Sequence, residues 1–524
     1  MKWMHRLLLV ALAFSAHATL QARELGTDER ALHVLNRLGY GPRPGDVERV
    51  TAFGVERYID AQLHSEAIAV PPALTQRLDG LAAIHQSTGA ALAQFEEARK
   101  AAKNDDEDGK KLRRETYQRM GLETAEARLA RAIDSPRQLE EVMVDFWFNH
   151  FNVFAGKGLD RAFIASYERD AIRPHALGNF RELLGATAKH PAMLFYLDNW
   201  LSVAPGYQPP QRRGKGPANQ ANGLNENFAR EVMELHTLGV DGGYTQQDVT
   251  ALARMLTGWT FLPRELIRND TGFQFDARRH DDGDKQWLGR QVSGRGRDEG
   301  EMALDVLAAH PATARHISYQ LAQYFVADVP PPALVDRLAK RFQSSQGDIR
   351  AVLATLFASA EFWDPATVGG KFKTPYQYVV SAARAANLPV VNVRPLIGTL
   401  AQLGMPLYGC ATPDGYKNTE AAWLNPDALT RRINFATALA SGKLPLARPD
   451  DDAAAPAMGK AQLERATDGE RAANARWASD PVDPTQLANT LGGTISAQTR
   501  TAVADSQPAL RAALLLGSPD FMRH

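Results

Sequence analysis

The sequence predicts a mainly α-helical, multi-helix globular protein with one small β-hairpin, and three observations carry that reading. Apolar residues recur at helical spacing along most of the chain. The densest apolar stretch, VMVDFWFNHFNVF at 142–154, is hydrophobic on every side of the helical wheel, as a helix buried all round must be. Strand-type alternation is confined to residues 271–294, and no part reads as a βαβ repeat.

The chain opens MKWMHRLLLVALAFSAHATLQA. Lys2 and Arg6 form a basic start, residues 7–14 an apolar run, and Ala16-His17-Ala18, with Ala22 as a second stop, a small-residue cleavage pattern. Residues 1–22 are therefore expected to be a signal peptide, and the mature protein to be soluble and periplasmic or secreted. No later stretch approaches the roughly 20 apolar residues of a membrane helix, so no membrane span is expected. Lys plus Arg number 60 and Asp plus Glu 60, a formal net charge of zero, so nothing draws the whole molecule toward nucleic acid. The single cysteine, Cys410, excludes an internal disulfide framework and a cysteine-rich metal site. Packing must supply the stability. With 44% hydrophobic residues the chain can bury a large core, and the usual domain size of about 150 residues suggests roughly two to four units.

Within an N-terminal helical region at 23–135, residues 27–63 predict two short helices around the turn GYGPRPG at 39–45. Residues 92–131, rich in Ala, Glu, Lys, Arg and Leu, predict exposed helices interrupted near Gly109, with KNDDEDGKK at 103–111 as a solvated tip. Residues 136–300 hold the core helices, a motif helix and the hairpin. Between them APGYQPPQRRGKGPANQANG, within 203–223, is too rich in Pro, Gly and Gln for a helix or central strand and predicts a disordered or mobile loop. In the β region Phe273 and Phe275 alternate with polar neighbours, 280–284 would turn, and 286–292 would return. A C-terminal helical region follows at 301–524, with helices at 301–363 and 376–403. His190-Pro191 and His310-Pro311 look like helix starts. LFASAEFW at 356–363 and LLLGSPDFM at 514–522 hint at a duplicated helix end, and residues 450–483 at a surface excursion.

The most informative segment is NENFAREVMELHTLGVDGGYTQQDVTALARMLTGWT at 225–260. On a helix, Asn227, Arg230, Glu231 and Glu234 share one polar stripe, and Phe228, Val232 and Leu235 share another that suits a core. Asn225 can cap the start, and Gly239 sits where a left-handed stop is expected after Leu238. Thr245 and Asp248 have capping-box spacing for the next helix, which is reason enough for Asp248 to be there.

The polar stripe has two readings. In one it is an exposed face with an Arg230–Glu234 pair worth a few tenths of a kcal/mol. In the other, Glu231 and Glu234, one turn apart, supply acid/base chemistry or metal oxygens, with Arg230 setting their charge state, because neighbouring carboxylates raise one another's pKa. On a straight helix His236 lies about 200° from Glu234 and about 140° from Glu231, so the three do not converge on one ion as in an HExxH site. A divalent metal would need ligands from elsewhere, with His236, His280 and Asp281 as the candidates. His150, in the most apolar helix, is either a buried histidine satisfied by a carbonyl or a ligand or proton carrier. His280, Asp281, Asp282, Asp284 and Lys285 crowd a turn, where carboxylates also occur for local backbone reasons, and they lack EF-hand spacing.

These residues give the chain a resemblance to the bacterial family known as domain of unknown function 1800. The phrases that carry it are LNRLGYGPRPGDVERV at 35–50, FWFNHFNVF at 146–154, HPAMLFYLDN at 190–199, NENFAREVMELHTLGVDGGYTQQDV at 225–249, TGW at 257–259, HDDGDKQWLG at 280–289, KFKTPYQYVV at 371–380 and TPDGY at 412–416. Together they span nearly the whole mature chain. The resemblance implies an exported protein without assigning a reaction or cofactor. It also implies, by analogy, a partner from a second exported family, domain of unknown function 1501, which looks related to sulfatases and alkaline phosphatases.

Two functions remain in competition on the sequence. One is an exported hydrolase using Glu231 and Glu234 with His150, His236 and His280 nearby; the other is a non-catalytic helical scaffold or binding protein of the envelope, in which the same polar groups fix the core. No nucleophile elbow, phosphate loop, dinucleotide fingerprint or haem-attachment motif is present. Convergence of Asn149, His150, Arg230, Glu231 and His280 on one open pocket would favour the enzyme.

Overall fold

A computed structural model of the chain describes residues 24–104, 106–208, 223–447 and 480–524. The expected signal peptide, most of the expected loop at 203–223 and most of the expected excursion at 450–483 lie outside them. The described chain is mainly α, with two small two-stranded antiparallel sheets. None of its helices is long and apolar enough to cross a membrane.

Three helices, α1 (Thr27–Arg37), α2 (Asp46–Phe53) and α3 (Val55–Leu63), stand where two were expected. Gly54, at φ +97, divides the second: a left-handed residue ends one helix and starts the next. Helices α4 (Thr88–Ala101) and α5 (Glu107–Asp134) follow. Their break comes before Gly109 rather than at it. Asp106 caps α5 through the Gly109 N–H, and a Cβ on Gly109 would stand 2.3 Å from the Ala101 carbonyl oxygen.

Helix α6 (Gln138–His150) is the centre of the core. Its Val, Phe and Trp residues cost a few tenths of a kcal/mol each in helix propensity, whereas burying each contributes about 1.5–3 kcal/mol, so packing decides its structure. Trp147 is fully buried, and its Nε1 donates to the Ala176 carbonyl at 2.9 Å. Around it one continuous apolar cluster runs from Ala31 to Met522.

Next come the motif helix α7 (Glu226–Glu234) and α8 (Gln246–Met255). Thr245 and Asp248 form the expected capping box. Asp248 also accepts from the Leu288 N–H at 2.7 Å, which ties α8 to the β region.

That region differs from expectation in its pairing. The hairpin is β3 (Lys285–Trp287) with β4 (Arg290–Val292), turning through Leu288 and Gly289, both at positive φ. Phe275 belongs to a different sheet, in which β2 (Gln274–Phe275) pairs with β1 (Trp259–Thr260). The 280–284 segment is a loop, because Leu288-Gly289 supplies the tight left-handed turn a short hairpin requires.

Helices α9 (Arg297–Ala309), α10 (Pro311–Phe325), α11 (Pro332–Ser344), α12 (Pro375–Ala386), α13 (Pro426–Ala440) and α14 (Arg511–Leu516) build the remainder relevant to the site. His190 and His310 both cap a helix by accepting, through Nδ1, from the N–H two residues on, at 3.1 Å in each case. The two similar helix ends share one geometry. Ser359 Oγ donates to the Leu356 carbonyl and accepts from the Phe362 N–H, and Ser518 does the same with Leu515 and Phe521.

Candidate functional site

Helix α7 presents the expected faces, with one exception. Phe228 and Val232 are buried, while Leu235 turns toward a cleft. Asn225 caps the start through the Asn227 N–H at 2.8 Å. The helix ends at Glu234 rather than Leu238: the Leu235 and His236 N–H groups both donate to the Glu231 carbonyl, and the Leu238 N–H reaches back five residues to Met233 at 2.8 Å. Gly239, at φ +83, completes the stop, and a Cβ there would lie 2.9 Å from His316 Nδ1.

Two histidines hold this wide turn from outside. His150 Nε2 donates to the His236 carbonyl and His316 Nε2 to the Leu235 carbonyl, each at 3.2 Å. A carbonyl only accepts, so both rings carry their proton on Nε2 and leave Nδ1 as an acceptor. The His150 ring centroid is 6.0 Å from that of His236 and 6.4 Å from that of His316. Burial, reinforced by the neighbouring histidines, holds His150 well below the ordinary imidazole range and takes His236 down to about 3; burial also lowers His316. The cluster is neutral.

A cleft of about 370 Å³ opens beside the turn. It is lined by Asp145, Asn149 and His150 of α6, by Glu234, by His316, Gln320 and Gln323 of α10, and by the loop from Asp414 to Thr419. Glu234 accepts from the Tyr244 hydroxyl at 3.2 Å. Glu231 sits one turn back, half-buried. Burial first, then Glu234, and more weakly Asp414, raise its pKa against the pull of Arg230. Arg230 itself does not pair with Glu234. It donates to Gln246, the first residue of α8, at 2.7 Å and lies 3.6 Å from Glu226, one turn earlier on its own helix.

The residues that build this cleft include several the sequence reading passed over. Asp145 is held by Arg128, which also reaches Glu168 at 3.2 Å. Tyr408 donates to that same Glu168 oxygen at 2.9 Å. Asn149 Nδ2 donates to the Tyr416 carbonyl at 2.8 Å, and its Oδ1 accepts from the Tyr416 N–H at 2.7 Å. Asn152 donates to the carbonyls of Cys410 and Thr412. The FWFNHFN and TPDGY phrases are thus one structure: Asn149 of the core helix and Asn152 just beyond its end fasten the loop that carries Asp414. Asp414 is held below the usual carboxylate range, burial notwithstanding, by hydrogen bonds from Lys417 and Thr412. The signal available in the sequence was the Asp145/Asn149 pair, four residues apart, in an otherwise apolar helix.

His280 and Asp281 lie elsewhere, under the hairpin. His280 Nδ1 meets the Thr257 carbonyl at 2.9 Å and its Nε2 lies 3.4 Å from Glu299, whose other oxygen takes Lys285 at 2.7 Å. All three side chains are fully enclosed. Asp281 makes two bonds to Arg254, at 2.7 and 3.0 Å. His236 faces Phe151 and His150 instead, so the structure does not join the three metal candidates. Among the described residues no set of three or more His, Cys, Asp or Glu side chains is placed to hold a metal ion.

The cleft therefore brings together Glu234, with Glu231 behind it, His150 and Asp414, and leaves Arg230, His236, His280 and Asp281 outside its lining. Carboxylates in environments that push their pKa values apart are the raw material of acid/base chemistry. No curated protein and no solved structure matches the chain. The model of a family described as protein of unknown function (DUF1800) matches residues 33–523, nearly the whole length, and the chain belongs to that family.

Proposed function

We propose that the protein is an exported hydrolase that works by carboxylate acid/base catalysis in the cleft between α6, the end of α7 and the 414–419 loop. The observation that carries this reading is that Glu234, Asp414 and His150, from three separate parts of the chain, face one open cavity. Asp414, kept ionised by Lys417, would take a proton from the attacking water. Glu231, whose pKa burial and then the neighbouring Glu234 raise, would return a proton to the leaving group by way of Glu234 at the cleft. His150 would orient the turn that presents Glu234. Export rests on the N-terminal signal pattern, and a partner of the sulfatase-like domain of unknown function 1501 family rests on the resemblance alone.

The test is turnover by the purified mature chain on envelope polysaccharides and on phosphate and sulfate esters, before and after metal removal. Activity lost in Glu234→Gln and in Asp414→Asn, with folding intact, is the expected result. Full activity in both variants overturns the reading.

A second reading has its own support. His150 and His316, which hold backbone carbonyls, and the enclosed His280–Glu299–Lys285 set are buried polar groups engaged with backbone or with one another, as in a scaffold that uses them to fix a unique core. A scaffold predicts no turnover on any of these substrates.

A further inference from the structure

A second cavity, of about 630 Å³, shares no lining residue with the cleft. Two helices from distant parts of the sequence contribute to it, α4 and the short helix Pro263–Asn269. They are fixed to each other where the Gly89 N–H donates to Asp270 at 2.7 Å and Gly89 packs on the Leu266 backbone too closely for a side chain. Aromatic surface comes from Phe195, near the end of the HPAMLFYLDN phrase, and from Trp200, just beyond it. Their ring centroids lie 5.6 Å apart, and Trp200 is backed by Phe261 at 5.3 Å with 29° between the ring planes. Both Phe195 and Trp200 keep part of their surface open, and Ile267, 41% exposed, adds to it. Open apolar surface in a concavity with charged side chains around it is the usual form of a small-molecule site, and the volume falls within the roughly 300–1,000 Å³ of such sites.

The charges in this lining do not cancel. Glu96 is taken by Arg99 at 2.6 Å on its own helix. Lys100 and Arg264, one from each helix, remain, and among the described residues neither has a carboxylate partner. We propose that this cavity binds a small amphipathic anion, an organic carboxylate whose body is an aryl or acyl group. The proposal does not depend on the hydrolase reading.

The same inventory separates this ligand from other anions. Apart from the Trp200 indole, whose N–H is enclosed, every polar side chain in the described lining is charged, and none is an amide or a hydroxyl. An acidic sugar would bring several hydroxyls to a surface that leaves them without partners, each at a cost. A nucleic-acid strand needs a basic track along its backbone, whereas the whole chain carries zero net charge and offers two free cations here. A carboxylate on an apolar body uses both features: the body covers the aromatic surface, and the head meets the arginine fork and the ammonium.

The test is calorimetric titration of the full mature chain with naphthoate and with octanoate, each beside the alcohol of the same skeleton, and with octylamine. Each carboxylate should bind at least about tenfold more tightly than its alcohol, as a charge-assisted contact allows. That advantage should disappear in the double variant Lys100→Gln with Arg264→Gln. Ile267→Glu, which puts a carboxylate into the same lining, should weaken both carboxylates by a similar factor. All three positions are exposed, so melting temperatures should hold and binding alone should change. Glu234→Gln, in the cleft, should leave this binding as it is. Equal affinity for carboxylate and alcohol, tighter binding of the amine, or an advantage that survives the double variant overturns the proposal. So does binding confined to an oligouronate, to single-stranded DNA or to anionic lipid vesicles, which would assign the cavity to a saccharide, a nucleic acid or a membrane surface instead.

Discussion

Asn149 grips the backbone of Tyr416 at two points, its amide nitrogen on the carbonyl and its amide oxygen on the N–H. One side chain of the core helix thereby replaces the pairing that a neighbouring strand would give this loop, and it fixes where Asp414 stands. Gly415 fits beneath the clamp at φ +66, with a would-be Cβ only 2.3 Å from the Asn149 carbonyl oxygen.

Asn149→Ala should therefore strip both bonds and leave two backbone groups without partners, a loss of about 1–3 kcal/mol for each one that stays buried. Gly415→Ala should be at least as damaging, through left-handed strain and the close approach together. Denaturant unfolding gives the stability change, and proteolysis of the 412–419 loop reports where it falls. A variant Asn149→Ala with unchanged stability and an intact loop would show that the clamp is incidental.

The enclosed Glu299 gives a second prediction. Burial alone would raise its pKa, but bonds from His280, Lys285 and the Arg295 N–H outweigh that and hold it low. For His280, burial pulls down, and Glu299 with the Thr257 carbonyl more than offsets it, leaving the imidazole raised. Glu299→Ala strands a buried lysine and should cost about 3–5 kcal/mol, whereas the paired change Glu299→Leu with Lys285→Met should recover much of it. The pH signs follow. The Glu299 contribution is present above its unfolded pKa and fades as pH falls through its folded value; the His280 contribution is present below its unfolded pKa and fades as pH rises through its raised value. Chemical denaturation across pH checks both, and equal stability of the single and paired variants would contradict the account.

The histidine cluster behaves oppositely to His280. His236 drops from an ordinary 6.5 to about 3, through burial and then His316, and His150 and His316 are lowered too. Below about 6.5 the unfolded chain binds protons that the native cluster refuses, so stability should fall as pH falls toward 5. His316→Gln keeps a donor for the Leu235 carbonyl while removing one titrating ring, and should flatten the slope. A melting temperature that is level between pH 7 and 5 would refute this.

How legible the structure was in the sequence depends on how local each cause is. The Thr245–Asp248 box and the His190 and His310 caps act within three residues, and their spacing declared them. The burial of α6 followed from its composition. The end of α7 was not readable from its own residues, because the wide turn is held by His150 and His316, which arrive from distant segments. A straight-helix projection therefore does not apply at His236, although its conclusion, that His236 does not join Glu231 and Glu234, agrees with the position of His236 against Phe151 and His150. The Phe275 strand went astray for the same reason, since its partner, Trp259, lies before an intervening helix. Asn149 was named as a pocket candidate, but the loop it holds was not readable, and Asp145 was hidden by its setting, because its partner Arg128 comes from another helix.

Glu231→Gln is the sharpest test of the motif helix. The ordinary expectation for a buried Arg–Glu pair, a cost of about 3–5 kcal/mol on removing one charge, does not apply here, because Arg230 is engaged with Gln246 and Glu226. Glu231 is raised by burial and by Glu234, so its folded pKa exceeds its unfolded one. Between those two values the native state keeps a proton the unfolded chain has lost, and stability declines as pH rises through that window. Above it the ionised Glu231 is a net burden, which the neutral glutamine relieves. At neutral pH the variant should therefore melt at the same temperature as the parent or slightly higher, with the gain disappearing in acid. Its turnover should fall by about 10²–10⁴ if the Glu231–Glu234 pair donates the proton. Lower stability at neutral pH would contradict the electrostatic account, and undiminished turnover would remove Glu231 from the chemistry.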